Sequence, residues 1–222
     1  MNARCAMFMA FLTGGTLSAG AAQDVWESSF PVAAVAERNV YFATRYVDVA
    51  GTEHRQEVWR EGSRRLRRVT DRKLDLLIEK DGSDEYQYRL ADRRRSILIL
   101  ADRTSLYHAG IFSDWQGVAH ALREPRGPYR VVARGGPPAQ VAVGLCSWSE
   151  VIVGGAAAPT SRVCWSQEWG LPFVIESWSE GLWKARFSVV EVRAFDSFDA
   201  IFTLDSAGLM EVDARPGQDI SD

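Results

Sequence analysis

The chain has 222 residues, of which 46% are hydrophobic and 25% are charged, and its formal net charge is −3 at pH 7. This charge gives no reason to expect nucleic acid as a partner, and the length is sufficient for one domain with a substantial core. After the N-terminal region, no apolar run approaches the roughly 18 residues of a membrane-spanning helix, so we predict no integral membrane segment.

The first 22 residues have the pattern of a secretory signal peptide. A short basic stretch (residues 1–4) is followed by an apolar stretch (residues 6–12) and by small residues up to Ala22. The alternative is a buried N-terminal helix, which would need a polar face that this stretch lacks. We therefore predict that residues 1–22 are removed, that residues 23–215 form one domain in the periplasm, and that residues 216–222 are a flexible tail.

Between residues 40 and 100, the sequence predicts a series of antiparallel strands. Turn-forming residues recur about every ten positions, and the pair Asp81-Gly82 is a strong hairpin signal. Apolar and polar side chains alternate between these turns, as in residues 74–79 and 85–90, which is typical of strands with two different faces.

Helical spacing replaces this alternation in residues 104–123. We predict one amphipathic helix there, with Ser113 or Asp114 as its N-cap, lying over an open face of the sheet. Residues 25–38 could form a second, shorter helix or an extended lead-in, and Pro31 leaves both possibilities open.

Strand patterns resume at residue 129 and continue to residue 192. In the last of these strands Trp183, Ala185, Phe187 and Val189 are expected to share one face. We also expect one helical turn within residues 196–202 and a short closing strand at residues 209–212. The predicted fold is therefore mainly β: a single strongly curved antiparallel sheet, a half-open β-barrel, with one covering helix.

Removal of the signal peptide would leave two cysteines, Cys146 and Cys164, each in a strand-like run. An even pair in an oxidising compartment favours a disulfide. A zinc site would need further ligands, and a redox pair usually has the spacing C-x-x-C, which is absent. We predict a structural disulfide and no metal site.

Two basic runs, residues 64–68 and 93–95, have acidic residues close by in the sequence. We interpret them as solvated strand faces and strand ends, in preference to a patch for an anionic partner.

The common catalytic motifs are absent, including the nucleophile elbow, the phosphate-binding loop and the H-E-x-x-H zinc motif. His108 and His120 fall on roughly one side of the predicted helix, without a third metal ligand nearby, so we interpret them as surface or interface histidines. We predict no enzymatic activity and no cofactor, although catalytic groups that lie far apart in sequence would leave no such motif.

The eight tryptophans either fill a large core or line a cavity for an apolar ligand. From the predicted faces, we expect six aromatic residues to line such a cavity: Trp59, Tyr86, Tyr88, Trp115, Trp183 and Phe187.

Three segments in a fixed order resemble the periplasmic lipoprotein-carrier superfamily of LolA and LolB type, in particular its uncharacterised relatives. They are EVWREGSRRLRR (residues 57–68), DGSDEYQYRLADRRRSILIL (residues 81–100) and FDAIFTLDSAGLMEVD (residues 198–213). The resemblance covers most of the mature chain. It implies a half-open β-barrel with a helical lid that binds acyl chains, or a sensor domain built on the same shell.

Three functional hypotheses follow, of which the third, a hydrolase or other enzyme, has no sequence feature in its favour. In the first, the protein is an exported, soluble and monomeric binding protein that holds a lipid or the acyl chain of an envelope lipoprotein in a concave β-shell. In the second, it is a non-enzymatic sensor or assembly module that uses the same fold to recognise another envelope protein.

Overall fold

The computed structural model describes residues 25–80, 82, 85–102, 105 and 115–215. They form one sheet of thirteen strands that does not close into a barrel. The strands are β1 (Val40–Val47), β2 (Glu53–Glu61), β3 (Arg65–Thr70), β4 (Leu74–Lys80), β5 (Tyr86–Asp92), β6 (Ile97–Ala101), β7 (Tyr129–Ala133), β8 (Ala139–Val141), β9 (Gly144–Val153), β10 (Ser161–Ser166), β11 (Leu171–Ser179), β12 (Leu182–Ala194) and β13 (Met210–Asp213).

The strand order is β13-β6-β5-β4-β3-β2-β1-β12-β11-β10-β9-β7, with β8 paired to β9. Strands β1 to β6 form one meander, and β7 to β12 form a second series of antiparallel neighbours. The two halves meet where β1 pairs with β12, with Val40 opposite Ala194. The predicted mainly β, half-open architecture is confirmed.

One element of that prediction was wrong, because the sheet is not entirely antiparallel. The closing strand β13 runs parallel to β6, with Met210 opposite Ile97. Between β12 and β13 the chain crosses the outside of the sheet through a 3-10 turn at Asp199–Phe202, as the sequence predicted for this segment. After this crossover, the chain enters β13 running in the same direction as β6.

The predicted turn at Asp71 is confirmed, and its backbone explains the tight connection between β3 and β4. Asp71 and Arg72 both have positive φ, 51° and 57°, and the Lys73 N–H donates to the Thr70 carbonyl at 2.9 Å. Two successive residues with positive φ are typical of a type I′ turn, whose twist matches that of antiparallel strands.

We call the face that carries Val40, Phe42, Val58 and Leu66 the inner face, and the opposite face the outer face. The inner face bears the main core cluster, which also contains Ile78 and Tyr88. A second, smaller cluster contains Phe30, Val151, Val163 and Trp165.

The outer face is covered over part of the first meander. Arg67 forms a two-point ion pair with the buried Asp75, with N–O distances of 2.9 and 2.6 Å, and also donates to the Ile201 carbonyl at 2.8 Å. The 3-10 turn at Asp199–Phe202 therefore covers this region, which explains why Leu77 is buried on the outer face.

In the described residues the covering helix comprises Trp115–Ala119, so it ends earlier than the predicted residue 123. Val118 and Ala119 belong to the main core cluster. Residues 103, 104 and 106–114, including the proposed N-cap and His108, lie outside the described residues. At the N-terminus, residues 25–29 are helical and Ala33–Val35 form a 3-10 turn, so the short-helix alternative is correct there.

The predicted disulfide is present. Cys146 and Cys164 lie in neighbouring strands, with a Cα–Cα distance of 5.2 Å, and both are buried in the main core cluster. The predicted signal peptide and C-terminal tail lie outside the described residues. Within those residues, no helix has the length and apolar character needed to cross a membrane.

Candidate functional site

A cleft of about 440 Å³ lies where the N-terminal segment, the covering helix and the sheet meet. The N-terminal segment contributes Trp26, Phe30 and Val32, and Trp165 of β10 also lines the cleft. The remaining wall comes from the covering helix and the chain that follows it, including Gln116, His120 and Leu122. Its volume is within the range typical of small-molecule sites.

The apolar wall of the cleft is a series of aromatic contacts. The Phe30 ring packs edge-on against Trp26 and against Trp165, with centroid distances of 4.6 and 5.5 Å. Trp26 also contacts Tyr129 of β7 at 5.6 Å. These contacts hold residues 25–30 against the second core cluster, which gives the cleft a preformed aromatic side.

The rim of the cleft is charged, and its charges balance. Glu27 and Glu124 line it together with Arg123 and Arg126. The Tyr129 hydroxyl donates to Glu124 at 2.6 Å, and burial, followed by this carboxylate, raises the pKa of Tyr129.

Behind the cleft lies Arg60, which has 0% exposure. Its Nη1 donates to the Ala119 carbonyl at 3.2 Å, and its Nη2 lies 3.5 Å from the Val35 carbonyl. Arg60 therefore connects β2 to the end of the covering helix and to the N-terminal segment. Burial, followed by repulsion from Arg38, lowers the pKa of Arg60 to about 10, so its guanidinium remains charged at neutral pH.

His120 follows the covering helix and lies between Arg60 and the cleft. Its Nδ1 is 2.9 Å from Arg60 Nη1 and 2.7 Å from the Gly170 carbonyl. Burial, followed by the charge of Arg60, lowers the pKa of His120 to about 3, so the imidazole is neutral at physiological pH. A neutral histidine cannot compensate the charge of Arg60.

Gly170 permits this arrangement. Its φ is +61°, and a Cβ at this position would lie 2.4 Å from Val35 Cγ2 and 3.4 Å from His120 Nδ1. A side chain here would therefore push apart the N-terminal segment and the turn between β10 and β11.

Three of the six aromatic residues predicted to line a cavity come together on the inner face. Tyr86 and Trp115 stack with a centroid distance of 4.8 Å and an interplanar angle of 6°. Tyr88 is buried in the main core cluster against which both of them pack. This group holds the covering helix on the sheet.

Of the other three, only Phe187 packs on the same core cluster. Trp59 lies on the outer face, where it pairs with Tyr41 at a ring distance of 5.2 Å. Phe187 packs on the main core cluster, whereas Trp183 contacts Trp178 at 5.2 Å near the end of the β11–β12 hairpin.

The expected common face of Trp183, Ala185, Phe187 and Val189 was wrong. Ile175 pairs with Phe187, but Glu176 pairs with Ala185, so a β-bulge at Arg186 interrupts the alternation. Contact of the six aromatic residues with a ligand remains a prediction, and none of them is among the residues that line the cleft.

Sequence reasoning missed the residues that define this site. The sequence favours Trp59 over its neighbour Arg60 as a site residue and predicts a surface or interface position for His120, but Arg60 and His120 are both buried. The available signal was the alternation of Val58 and Arg60, which places both side chains on one face of β2. Among the described residues, no group of three or more His, Cys, Asp or Glu side chains could hold a metal ion.

The chain matches no protein-family model and no curated protein. Its structure is similar to that of an uncharacterized conserved protein from Thermus thermophilus, with a TM-score of 0.51 and 12% identity over 88% of this chain and 98% of that one. It matches MucB with a TM-score of 0.44 and 15% identity, over 86% of this chain and 65% of MucB. It also matches the Pseudomonas aeruginosa MucA/MucB complex, with a TM-score of 0.40 and 15% identity, over 86% of this chain and 64% of that chain. The similarity to the Thermus protein shows a shared fold, and function has to be argued from the site.

Proposed function

We propose that this protein is an exported, non-enzymatic binding module that holds an apolar group, such as an acyl chain, in the cleft between its N-terminal segment and its covering helix. The observation that carries the proposal is the aromatic wall formed by Trp26, Phe30 and Trp165 beside a space of about 440 Å³. A concave apolar surface with a few polar groups at one end is the usual form of a small-molecule site.

Export is part of the same proposal. The N-terminal sequence pattern and the buried disulfide between Cys146 and Cys164 both fit an oxidising compartment, for which we propose the periplasm. Cell fractionation and N-terminal sequencing of the mature protein test this part, and an intact N-terminus in the cytoplasmic fraction would contradict it.

The binding test uses protein purified without detergent and analysed by mass spectrometry for bound lipid. The variant Gln116→Trp places a large side chain at an exposed position that lines the cleft, and it should abolish the bound lipid. The matched control is Gln140→Trp, at an exposed position on β8, which should retain the lipid. Equal lipid content in the two variants would place any lipid outside the cleft.

A second candidate is an interaction module for another envelope protein. It is favoured by apolar side chains at the β11–β12 hairpin, where Trp178 is 49% exposed and Leu182 is 65% exposed. Affinity capture with the wild-type protein and with the double variant Trp178→Ser/Leu182→Ser separates the candidates, because this change leaves the cleft intact. An envelope protein that the wild type retains and the variant loses would favour this second function.

A further inference from the structure

Buried polar atoms without a hydrogen-bond partner are found close to His120. They include Arg60 Nε and Trp165 Nε1. Trp165, which is 3% exposed, lines the cleft together with His120, and Arg60 contacts His120 from behind. A buried donor without an acceptor is unfavourable, so the Trp165 indole N–H at the wall of the cleft requires an explanation.

The chemistry of the Trp165 N–H specifies its missing partner. An indole N–H can only donate a hydrogen bond, so the partner is an acceptor. The site also has an unbalanced positive charge, because none of the described carboxylates contacts Arg60 and the rim of the cleft carries two acidic and two basic side chains. A ligand that completes the site therefore brings an acceptor oxygen and a negative charge.

We propose that the cleft binds a single-chain amphiphile through its carboxylate, as in a long-chain fatty acid. The carboxylate accepts a hydrogen bond from Trp165 Nε1, and the Arg60 cation stabilises its charge from behind His120. The hydrocarbon chain lies along the aromatic wall of Trp26 and Phe30. This inference rests on the proposed binding function and adds the identity of the ligand's head group.

A carboxylate suits the site better than a phosphate monoester. The buried charge of Arg60 can balance one negative charge, whereas the rim, where Glu27 and Glu124 offset Arg123 and Arg126, offers no net positive charge for a second. Burial makes this discrimination strong, because charges away from water interact through a lower effective dielectric constant than they do at the surface.

The test measures binding of dodecanoate, dodecan-1-ol and dodecyl phosphate to the purified protein by titration calorimetry, below the concentrations at which they form micelles. We expect dodecanoate to bind at least about tenfold more tightly than dodecan-1-ol, since hydrogen bonds to charged groups are the stronger class. Equal binding of acid and alcohol would overturn the carboxylate site but leave the apolar-binding function standing. Binding of neither would overturn both, and tighter binding of dodecyl phosphate would overturn the choice of head group.

The variant Trp165→Phe removes the indole N–H and keeps an aromatic ring. It should weaken dodecanoate about tenfold and change dodecan-1-ol by less than about twofold. Trp178→Phe, at an exposed tryptophan outside the cleft, is the matched control and should change neither affinity. An equal loss for acid and alcohol in Trp165→Phe would assign Trp165 a packing role and overturn the hydrogen bond. If this variant does not fold, the ligand series on the unaltered protein still decides the proposal.

Discussion

Arg60 Nη1 lies 2.9 Å from His120 Nδ1, and the Gly170 carbonyl lies 2.7 Å from the same nitrogen. An arginine can only donate and a carbonyl can only accept, so Nδ1 can form a hydrogen bond with one of them at a time. The shorter contact favours an Nδ1–H that donates to Gly170, while Arg60 donates to the Ala119 carbonyl at 3.2 Å. In that tautomer, the His120 Nε2 is an acceptor.

The first prediction concerns the ionisation of His120. Replacing Arg60 with methionine removes the second cause of its low pKa, so the pKa should rise from about 3, but it should stay below 6.5 because burial, the larger cause, remains. The measurement is an NMR titration of the imidazole, with the signal assigned by its loss in His120→Gln. An unchanged pKa would mean that the charge of Arg60 has no effect on the ionisation of His120.

The second prediction concerns stability at acidic pH. Below pH 6.5 the unfolded chain protonates His120, whereas the folded protein does not until about pH 3. Folding stability should therefore fall as the pH falls through this window, by up to about 1.4 kcal/mol per pH unit from this residue. Urea unfolding of the wild type and of His120→Gln between pH 7 and pH 5 tests this, and equal slopes in the two proteins would contradict it.

His54 should have the opposite dependence. Its Nδ1 is 2.7 Å from Asp71 Oδ2 and its Nε2 is 3.2 Å from Asp48 Oδ2. These hydrogen bonds raise the pKa of His54, so its stabilisation is fully present below pH 6.5 and is lost as the pH rises through the folded-state pKa. His54→Gln should therefore destabilise the protein more at pH 5.5 than at pH 9, and a deficit that is the same at both pH values would argue against the ion pairs.

The fourth prediction concerns Gly170. Gly170→Ala should destabilise the protein by about 3 kcal/mol or more, since the new Cβ would lie 2.4 Å from Val35 Cγ2 and the residue has a φ of +61°. Gly208→Ala is the matched control, with a φ of +73° and no atom within 4 Å of the new Cβ, and should cost about 1–2 kcal/mol. Thermal unfolding of the two variants compares them, and equal losses would show that the contact with Val35 relaxes easily.

The fifth prediction concerns the disulfide. The two cysteines are 18 positions apart, and opening a loop of this size should cost about 3 kcal/mol in the chain-entropy account. Urea unfolding with and without reductant measures the loss. The double variant Cys146→Ala/Cys164→Ala should be insensitive to reductant, and a reductant effect that persists in it would have another origin.

The sequence was sufficient to predict the fold class, because the strands of the first meander are separated by turns with recognisable residues. Asp71 marks a hairpin that the structure contains, and β4 and β5, the strands on either side of the predicted turn, pair with each other. The alternation of Tyr86, Tyr88 and Leu90 places them correctly on the inner face. The order of elements within each half of the sheet follows from these local signals.

The site could not be predicted in the same way, because its residues are far apart in the chain and are not distinctive locally. The alternation of Val58, Trp59 and Arg60 is compatible with burial of either face of β2. Tryptophan is buried more often than arginine, so the sequence favours the face that carries Trp59. In the structure, the Tyr41–Trp59 contact lies outside, and Arg60 has its partners in the covering helix and the N-terminal segment. The bulge at Arg186 has no sequence signal either, since alternation continues through it.

The pairing of β1 with β12 has a consequence for how the protein folds. Strands β1 to β6 can pair with one another as neighbours in sequence, but one edge of β1 has no neighbour until β12 pairs with it. A folding chain therefore has an unpaired edge on an apolar strand until β12 is in place, the kind of edge that promotes aggregation. Completion of the sheet is a late event, and truncations before β12 should yield insoluble fragments.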